Sequence, residues 1–156
     1  MRLAELVEEL ERQTGGNFEV NNGICALKID DMSVSLQEID EVGLISMYAE
    51  IGEPPPQHLE NLYESMLMAN HLFMATAGST LSLDPETRRF YLCRVDASDS
   101  LSSERFCKML EQFINTLEKW RKLVADFREE AASVPAEENI SAFPDFGGAF
   151  GGFMQV

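Results

Sequence analysis

Residues 69–96, ANHLFMATAGSTLSLDPETRRFYLCRVD, and residues 102–120, SSERFCKMLEQFINTLEKW, decide the fold of this chain. The first segment ends an apolar helix near Gly78. It then runs as two strands, 80–83 and 89–95, joined by Asp84, Pro85, Glu86 and Thr87. Proline suits the second position of such a turn because its ring already holds φ near the value required there. The second segment opens a helix near Ser102 or Ser103, with Ser103 as the expected N-cap and Glu104 placed to complement the helix dipole. Phe106, Leu110, Phe113, Leu117, Trp120, Val124 and Phe127 then recur at alternating steps of four and three residues. That spacing is one apolar stripe along a long helix. It exceeds what a small sheet covers, so its far end is expected against a second subunit or in solvent.

Upstream, Leu3, Leu6, Val7 and Leu10 follow the i, i+3, i+4, i+7 pattern, opposed by Glu5, Glu8, Glu9 and Glu11. A helix is expected over 3–13, stopped at Thr14, Gly15 and Gly16. Asn21, Asn22 and Gly23 read as a turn that splits 18–29 into a short strand and a longer one, CALKI. Met32, Val34 and Leu36 alternate with Ser33, Ser35 and Gln37, the mark of a half-buried strand. Residues 42–51 form a further strand that is apolar on both faces, expected to be central or at an interface. Pro54, Pro55 and Pro56 break the sheet and lead into a second helix over about 57–75. Its methionines, Met66, Met68 and Met74, suit either core packing or an adaptable contact surface. The sum is an α+β fold in the order α-β-β-β-α-β-β-α, a twisted antiparallel sheet with helices packed on it.

The 156 residues fit one domain, assigned to 1–132, followed by a segment over 133–156 of different composition. This last part, SVPAEENISAFPDFGGAFGGFMQV, has no helical or strand period and is expected to be a flexible tail. The alternative is that Phe143, Phe146, Phe150 and Phe153 fill an apolar groove on this chain or on a dimer mate.

With 27 acidic residues against 12 basic ones, the formal charge is −15. That charge disfavours nucleic acid and anionic membrane, and favours basic or neutral protein partners. No apolar run nears the roughly 20 residues that span a bilayer, and acids from Glu5 onward interrupt the start, so no signal peptide is read. Three widely spaced cysteines, Cys25, Cys93 and Cys107, argue for a reducing, cytoplasmic setting with each thiol acting as a small hydrophobe.

The chemistry of catalysis is missing. His58 and His71 are the two histidines, thirteen residues apart, and cannot share a turn as zinc ligands do. Gly147, Gly148, Gly151 and Gly152 follow no strand, precede no helix and have no nearby lysine, so they are not a phosphate loop. No catalytic residue, metal site or cofactor is expected.

The run Ala69, Asn70, Leu72, Phe73, the small residues Ala75, Ala77 and Gly78, the strand with Leu81 and Leu83, the turn Asp84 to Thr87 and the strand Tyr91 to Val95 resemble the class I chaperones of type III secretion, the Tir-chaperone (CesT-like) family. The resemblance covers about 1–128 and includes a closing helix with an aromatic at Trp120. Two departures stand out: the second hairpin strand carries Arg88, Arg89, Cys93 and Arg94, and the tail after Ala132 is unlike the family's short acidic ends. The resemblance implies a bacterial cytoplasmic homodimer that binds the N-terminal region of a secreted effector as an extended chain, without ATP or metal. It implies an effector-binding groove, for which Leu3, Leu6, Val7, Leu10, Ile24, Ala26, Met32, Val34 and Leu36 are the candidates. It implies a dimer interface, for which Leu62, Met66, Ala69 and Phe73 are the candidates, each equally able to serve as core. Asn70 is expected to satisfy backbone groups at the helix–hairpin junction. Three alternatives stay open: a regulatory chaperone whose client is a transcriptional anti-activator, a YbjN-like protein of the same fold with no secretion client, and a small enzyme using Cys93 or Cys107.

Overall fold

The computed structural model describes residues 2–136; the Phe/Gly tail and its proposed roles lie outside the described residues. Helix α1 (Leu3–Thr14) is followed by β1 (Val20–Asn21), β2 (Ile24–Ile29), β3 (Met32–Ile39) and β4 (Leu44–Gly52), then α2 (Leu59–Asn70), β5 (Thr80–Leu83), β6 (Phe90–Ala97) and α3 (Ser103–Ser133). The fold is α+β, with three helices and a six-stranded antiparallel sheet in the order β1-β2-β3-β4-β6-β5. The short strand before Gly23 is a full member of that sheet. The described residues form two compact units: those through Glu50 with Cys93–Ile114, and Ile51–Leu92 with residues 115–136.

In the first unit, α1 starts where the Arg2 backbone N–H donates to the Glu5 carboxylate (3.1 Å). It stops at Gly15, whose φ of 71° is the left-handed conformation that glycine enters at little cost. The Asn22–Gly23 turn has positive φ at both residues (51° and 74°), the geometry that joins two strands in a tight hairpin. The register follows from it. Ile24 opposes Asn21, and across β3 Cys25 opposes Leu36, Leu27 opposes Val34 and Ile29 opposes Met32. Cys25, Leu27, Met32, Val34, Leu36, Ile45, Met47 and Ala49 therefore share the buried face of the sheet, and α1 lies against β1 and β3. Phe106, Met109, Leu110 and Phe113 of α3 are buried in the same unit. Ser102, rather than Ser103, caps α3: its hydroxyl accepts from the Arg105 N–H (3.2 Å), and Ser103 is already helical.

In the second unit, α2 buries Leu62, Ser65, Met66 and Ala69. The far part of α3 buries Leu117, Trp120, Val124, Phe127 and Ala131. The end of the long stripe is thus interior to this chain. Trp120 Nε1–H donates to the Ala75 carbonyl (3.0 Å), tying α3 to the turn after α2. Tyr63 meets Phe90 edge to face, with ring centres 6.0 Å apart. The hairpin turn is organised by Asp84. Its carboxylate accepts from the N–H groups of Glu86 (2.8 Å) and Thr87 (3.4 Å) and from the Thr87 hydroxyl (2.9 Å).

The second helix is shorter than its apolar pattern. It ends at Asn70, and 71–73 form a 3₁₀ turn in which Leu72 and Phe73 take positive φ (53° and 56°). At the other end, His58 caps the helix in the left-handed region, which leaves Gln57 and His58 outside it.

Candidate functional site

The first candidate surface is the outer edge of β2. Strand β1 is two residues long and reaches only Ile24 and Cys25. Residues 26–29 of β2 have no strand beside them on that side among the described residues. Backbone alternation decides which groups are open. In a two-residue hairpin the flanking pair, here Asn21 and Ile24, exchanges hydrogen bonds. Every second residue from Ile24 therefore points its N–H and C=O away from β3. Ala26 and Lys28 present an unused donor and acceptor each, while Cys25, Leu27 and Ile29 bond across to β3. Such a row is a template for another extended chain.

The face of the sheet opposite the core is also uncovered in part. Ile24 is 42% exposed and Ala26 is exposed. The register sets Ile24 beside Gln37 and Ser46, and Ala26 beside Ser35 and Tyr48. This is a shallow surface of one large apolar side chain, small polar groups and one tyrosine ring, bordering the open edge.

That placement divides the residues expected to form the groove. Ile24 and Ala26 lie at the surface. Leu3, Leu6, Val7, Leu10, Met32, Val34 and Leu36 are buried within the chain's own core. Ile24 and Ala26 thus lie on the sheet face opposite the core, while the other seven, four on α1 and three on β3, line the core side. On the sheet, the register sets Ile24 and Ala26 beside Gln37 and Ser35, on the face opposite Met32, Val34 and Leu36, because successive side chains alternate sides.

The second candidate surface is the end of α2 and the turn after it. Leu67 is 71% exposed, Leu72 77% and Phe73 52%, with Met68 beside them. Leu72 and Phe73 combine exposure with left-handed backbone, a conformation costing of the order of 1–3 kcal/mol per non-glycine residue. Large apolar side chains held strained and in water make this patch a candidate contact surface. Of the residues expected at a dimer interface, Phe73 is here, while Leu62, Met66 and Ala69 point into the monomer. Leu67 and Leu72 lie outside the residues expected at a contact surface, whereas Met68 is among the methionines suited to one. Nothing in the residue order reveals the left-handed turn that lifts Leu72 and Phe73 outward.

Asn70 sits where helix meets hairpin and does what was expected of it. Its side-chain amide donates to the Leu81 carbonyl (3.0 Å) and accepts from the Leu81 N–H (2.8 Å). The hairpin bond from Asp84 N–H to Arg89 carbonyl (2.9 Å) turns alternate residues of β5 inward to β6, so Leu81 faces the free side. Asn70 thus occupies part of the outer edge of β5 as a strand would.

Two of the three thiols, Cys25 and Cys107, sit in surroundings that disfavour the thiolate. Burial, and secondarily the negative charge of Glu11, pushes the Cys25 thiol up; burial does the same to Cys107. Cys107 Sγ lies against Gln13 Oε1 (3.4 Å). A raised thiol is the opposite of what a nucleophile needs. No cluster of ligands that could hold a metal ion, and no helix long and apolar enough to cross a membrane, occurs among the described residues.

The sequence over residues 5–121 matches the Tir chaperone protein (CesT) family. The chain belongs to that family. Its fold recurs in solved structures of type III secretion chaperones. A chain of the ExsC–ExsE complex superposes with a TM-score of 0.67 at 16% identity, covering 80% of this chain and 97% of that one. A chain of the Yersinia pestis type III secretion chaperone SycH in complex with a stable fragment of YscM2 gives 0.60 at 19% identity, covering 74% and 97%. YbjN from E. coli gives 0.56 at 11% identity, covering 80% and 93%. No curated protein sequence matches the chain. The family and the secretion-chaperone neighbours are chaperones, which as a class are not enzymes.

Proposed function

We propose that this Tir-chaperone family member is a type III secretion chaperone that holds the N-terminal region of a secreted effector as an extended chain and works as a homodimer. The observation that carries the reading is the unpaired edge of β2, where Ala26 and Lys28 offer backbone groups beside the exposed Ile24 side chain. An extended segment that adds there gains main-chain hydrogen bonds, and the adjoining face gives its side chains a place to lie. Ordering an unfolded segment costs entropy, so a client must cover a large area to bind well. The formal charge of −15 favours a client segment that is basic or neutral. Support comes also from the neighbours, which include complexes of chaperone with effector, such as HopA1–SchA.

In the same reading the exposed turn of Met68, Leu72 and Phe73 is the surface on which two copies meet. A large patch of that kind is removed from water most simply by the same patch on a second chain. The test is a tagged pull-down from a host expressing its secretion genes, followed by native mass spectrometry. Two copies of this chain with one secreted protein, held through its N-terminal region, is the expected result. A dimer that recovers no secreted protein under those conditions would overturn the chaperone assignment and favour a YbjN-like role.

A further inference from the structure

An open cleft of about 290 Å³ lies between α2 and the hairpin, walled by Tyr63, Met66, Leu67, Leu81, Leu83 and Phe90. Its polar contribution from α2 is Asn70, which is already committed to Leu81. Ser82 adds one small polar residue from β5, and the remaining walls are mainly apolar. An engineered apolar cavity of roughly 150 Å³ binds benzene, so this cleft has room for a phenyl ring and more. We propose that its occupant is the chain's own C-terminal segment, with a phenylalanine from among Phe143, Phe146, Phe150 and Phe153 seated in the cleft.

Three observations select this occupant. The first is where the described chain ends. Arg128, in the last turns of α3, pairs with Glu53 (3.3 Å), and Glu53 also pairs with Arg89 (2.6 Å), the residue before the cleft wall Phe90. The end of α3 is therefore fastened to the strand that walls the cleft, within the same compact unit. The second is length. Phe143 lies seven residues beyond Ala136, the last of the described residues. Seven residues reach up to about 23 Å and the later phenylalanines reach further. The third is chemistry. Residues 137–156 hold four phenylalanines and the acids Glu137, Glu138 and Asp145, with no lysine or arginine. At the cleft, Arg88 reaches the Tyr63 hydroxyl (3.4 Å), which puts a cation beside an apolar slot. Aromatic side chains with interspersed carboxylates complement that pairing. A tethered segment also acts at an effective concentration on the order of mM, so a modest intrinsic affinity suffices to fill the cleft.

The experiment uses the full chain in two forms, the natural one and one with Phe143, Phe146, Phe150 and Phe153 all changed to Ser. A fluorescent peptide of residues 143–156 is titrated against each. It should bind the Ser form at least tenfold more tightly than the natural chain, whose cleft is already filled. Leu67→Asp in the Ser form should weaken the peptide at least tenfold; Leu67 is largely exposed, so the fold tolerates the change. Methyl NMR supplies a second readout. Leu67 and Leu83 should lose ring-current shifts in the Ser form while methyls of the first compact unit stay put. Equal peptide binding by both forms, no binding to the Ser form, insensitivity to Leu67→Asp, or unmoved methyls would each overturn the proposal. If the cleft instead holds a second copy, the Leu67 and Leu83 methyls are the same in both forms and shift on dilution to monomer, and that result rejects the tail.

Discussion

Replacing Ala26 by proline tests the strand-addition mechanism at its most exposed point. Proline removes one N–H and places a ring where an incoming strand would approach. The position tolerates it, because the Ala26 N–H faces away from β3 and proline is accepted on a strand edge with that orientation. The ladder to β3 is carried by Cys25, Leu27 and Ile29, all untouched. The client loses the bond to Ala26, and the ring's bulk disturbs the pairing at Lys28. Two hydrogen bonds at about 0.5–1.5 kcal/mol each come to roughly 1–3 kcal/mol, or about 5- to 150-fold in Kd. Isothermal titration of the identified client segment measures this directly, with far-ultraviolet circular dichroism and a thermal melt to show that the chain is still folded. Unchanged affinity in a folded Ala26→Pro chain would show that the client does not pair with this edge, and the reasoning from the short β1 would fail.

Other changes separate surface from core. Phe73→Asp should leave a folded monomer, since aspartate accepts left-handed backbone better than phenylalanine does; Met66→Asp buries a charge and should cost about 3–5 kcal/mol of stability. Sedimentation and urea melts distinguish the two, and a Phe73→Asp chain that remains dimeric would refute the interface. Asn70→Ala strips both partners from the Leu81 backbone and should lower stability by about 1–3 kcal/mol in urea, with an unchanged midpoint counting against its role as an edge plug. The Asp84 carboxyl is held below its ordinary value, first by the Glu86 N–H and then by the Thr87 hydroxyl. A depressed folded value means that the hairpin gains its stabilisation above the unfolded carboxyl value and loses it as the pH falls through the lowered one. Protection of the Glu86 and Thr87 amides, taken relative to the intrinsic exchange rate at each pH, should fall with acid in that range, and Asp84→Asn should remove that dependence.

Much of this architecture is legible in the residue order, for a physical reason in each case. The stripe from Phe106 to Phe127 reads as a helix because seven large apolar residues keep one phase, and all seven are buried. The hairpin reads from Asp84 and Pro85, whose side chains act locally. Asn70 was legible because a polar residue at the end of an apolar helix needs partners. What was not legible needed information from across the sheet. Residue order alone does not say which face of β2 is covered; the register with Leu36 puts Cys25 inside and leaves Ile24 at the surface. The spacing of Leu3, Leu6, Val7 and Leu10 announces a face to be covered, yet it is the same whether the cover is the chain's own sheet or a client. The end of α2 was overrun because Leu72 and Phe73 are ordinary helix formers by composition, and their left-handed backbone is imposed from elsewhere.

The amide of Asn70 has a consequence for assembly. A sheet with two receptive margins can be extended by copy after copy in the head-to-tail manner that produces fibres. Here one margin is stoppered at Leu81 by a side chain of the same molecule, while the other is left receptive along Ala26 and Lys28. Two such margins can meet only like to like, which closes after a single step. On the proposed function, the chain can therefore keep an adhesive edge for a client without seeding a polymer of itself.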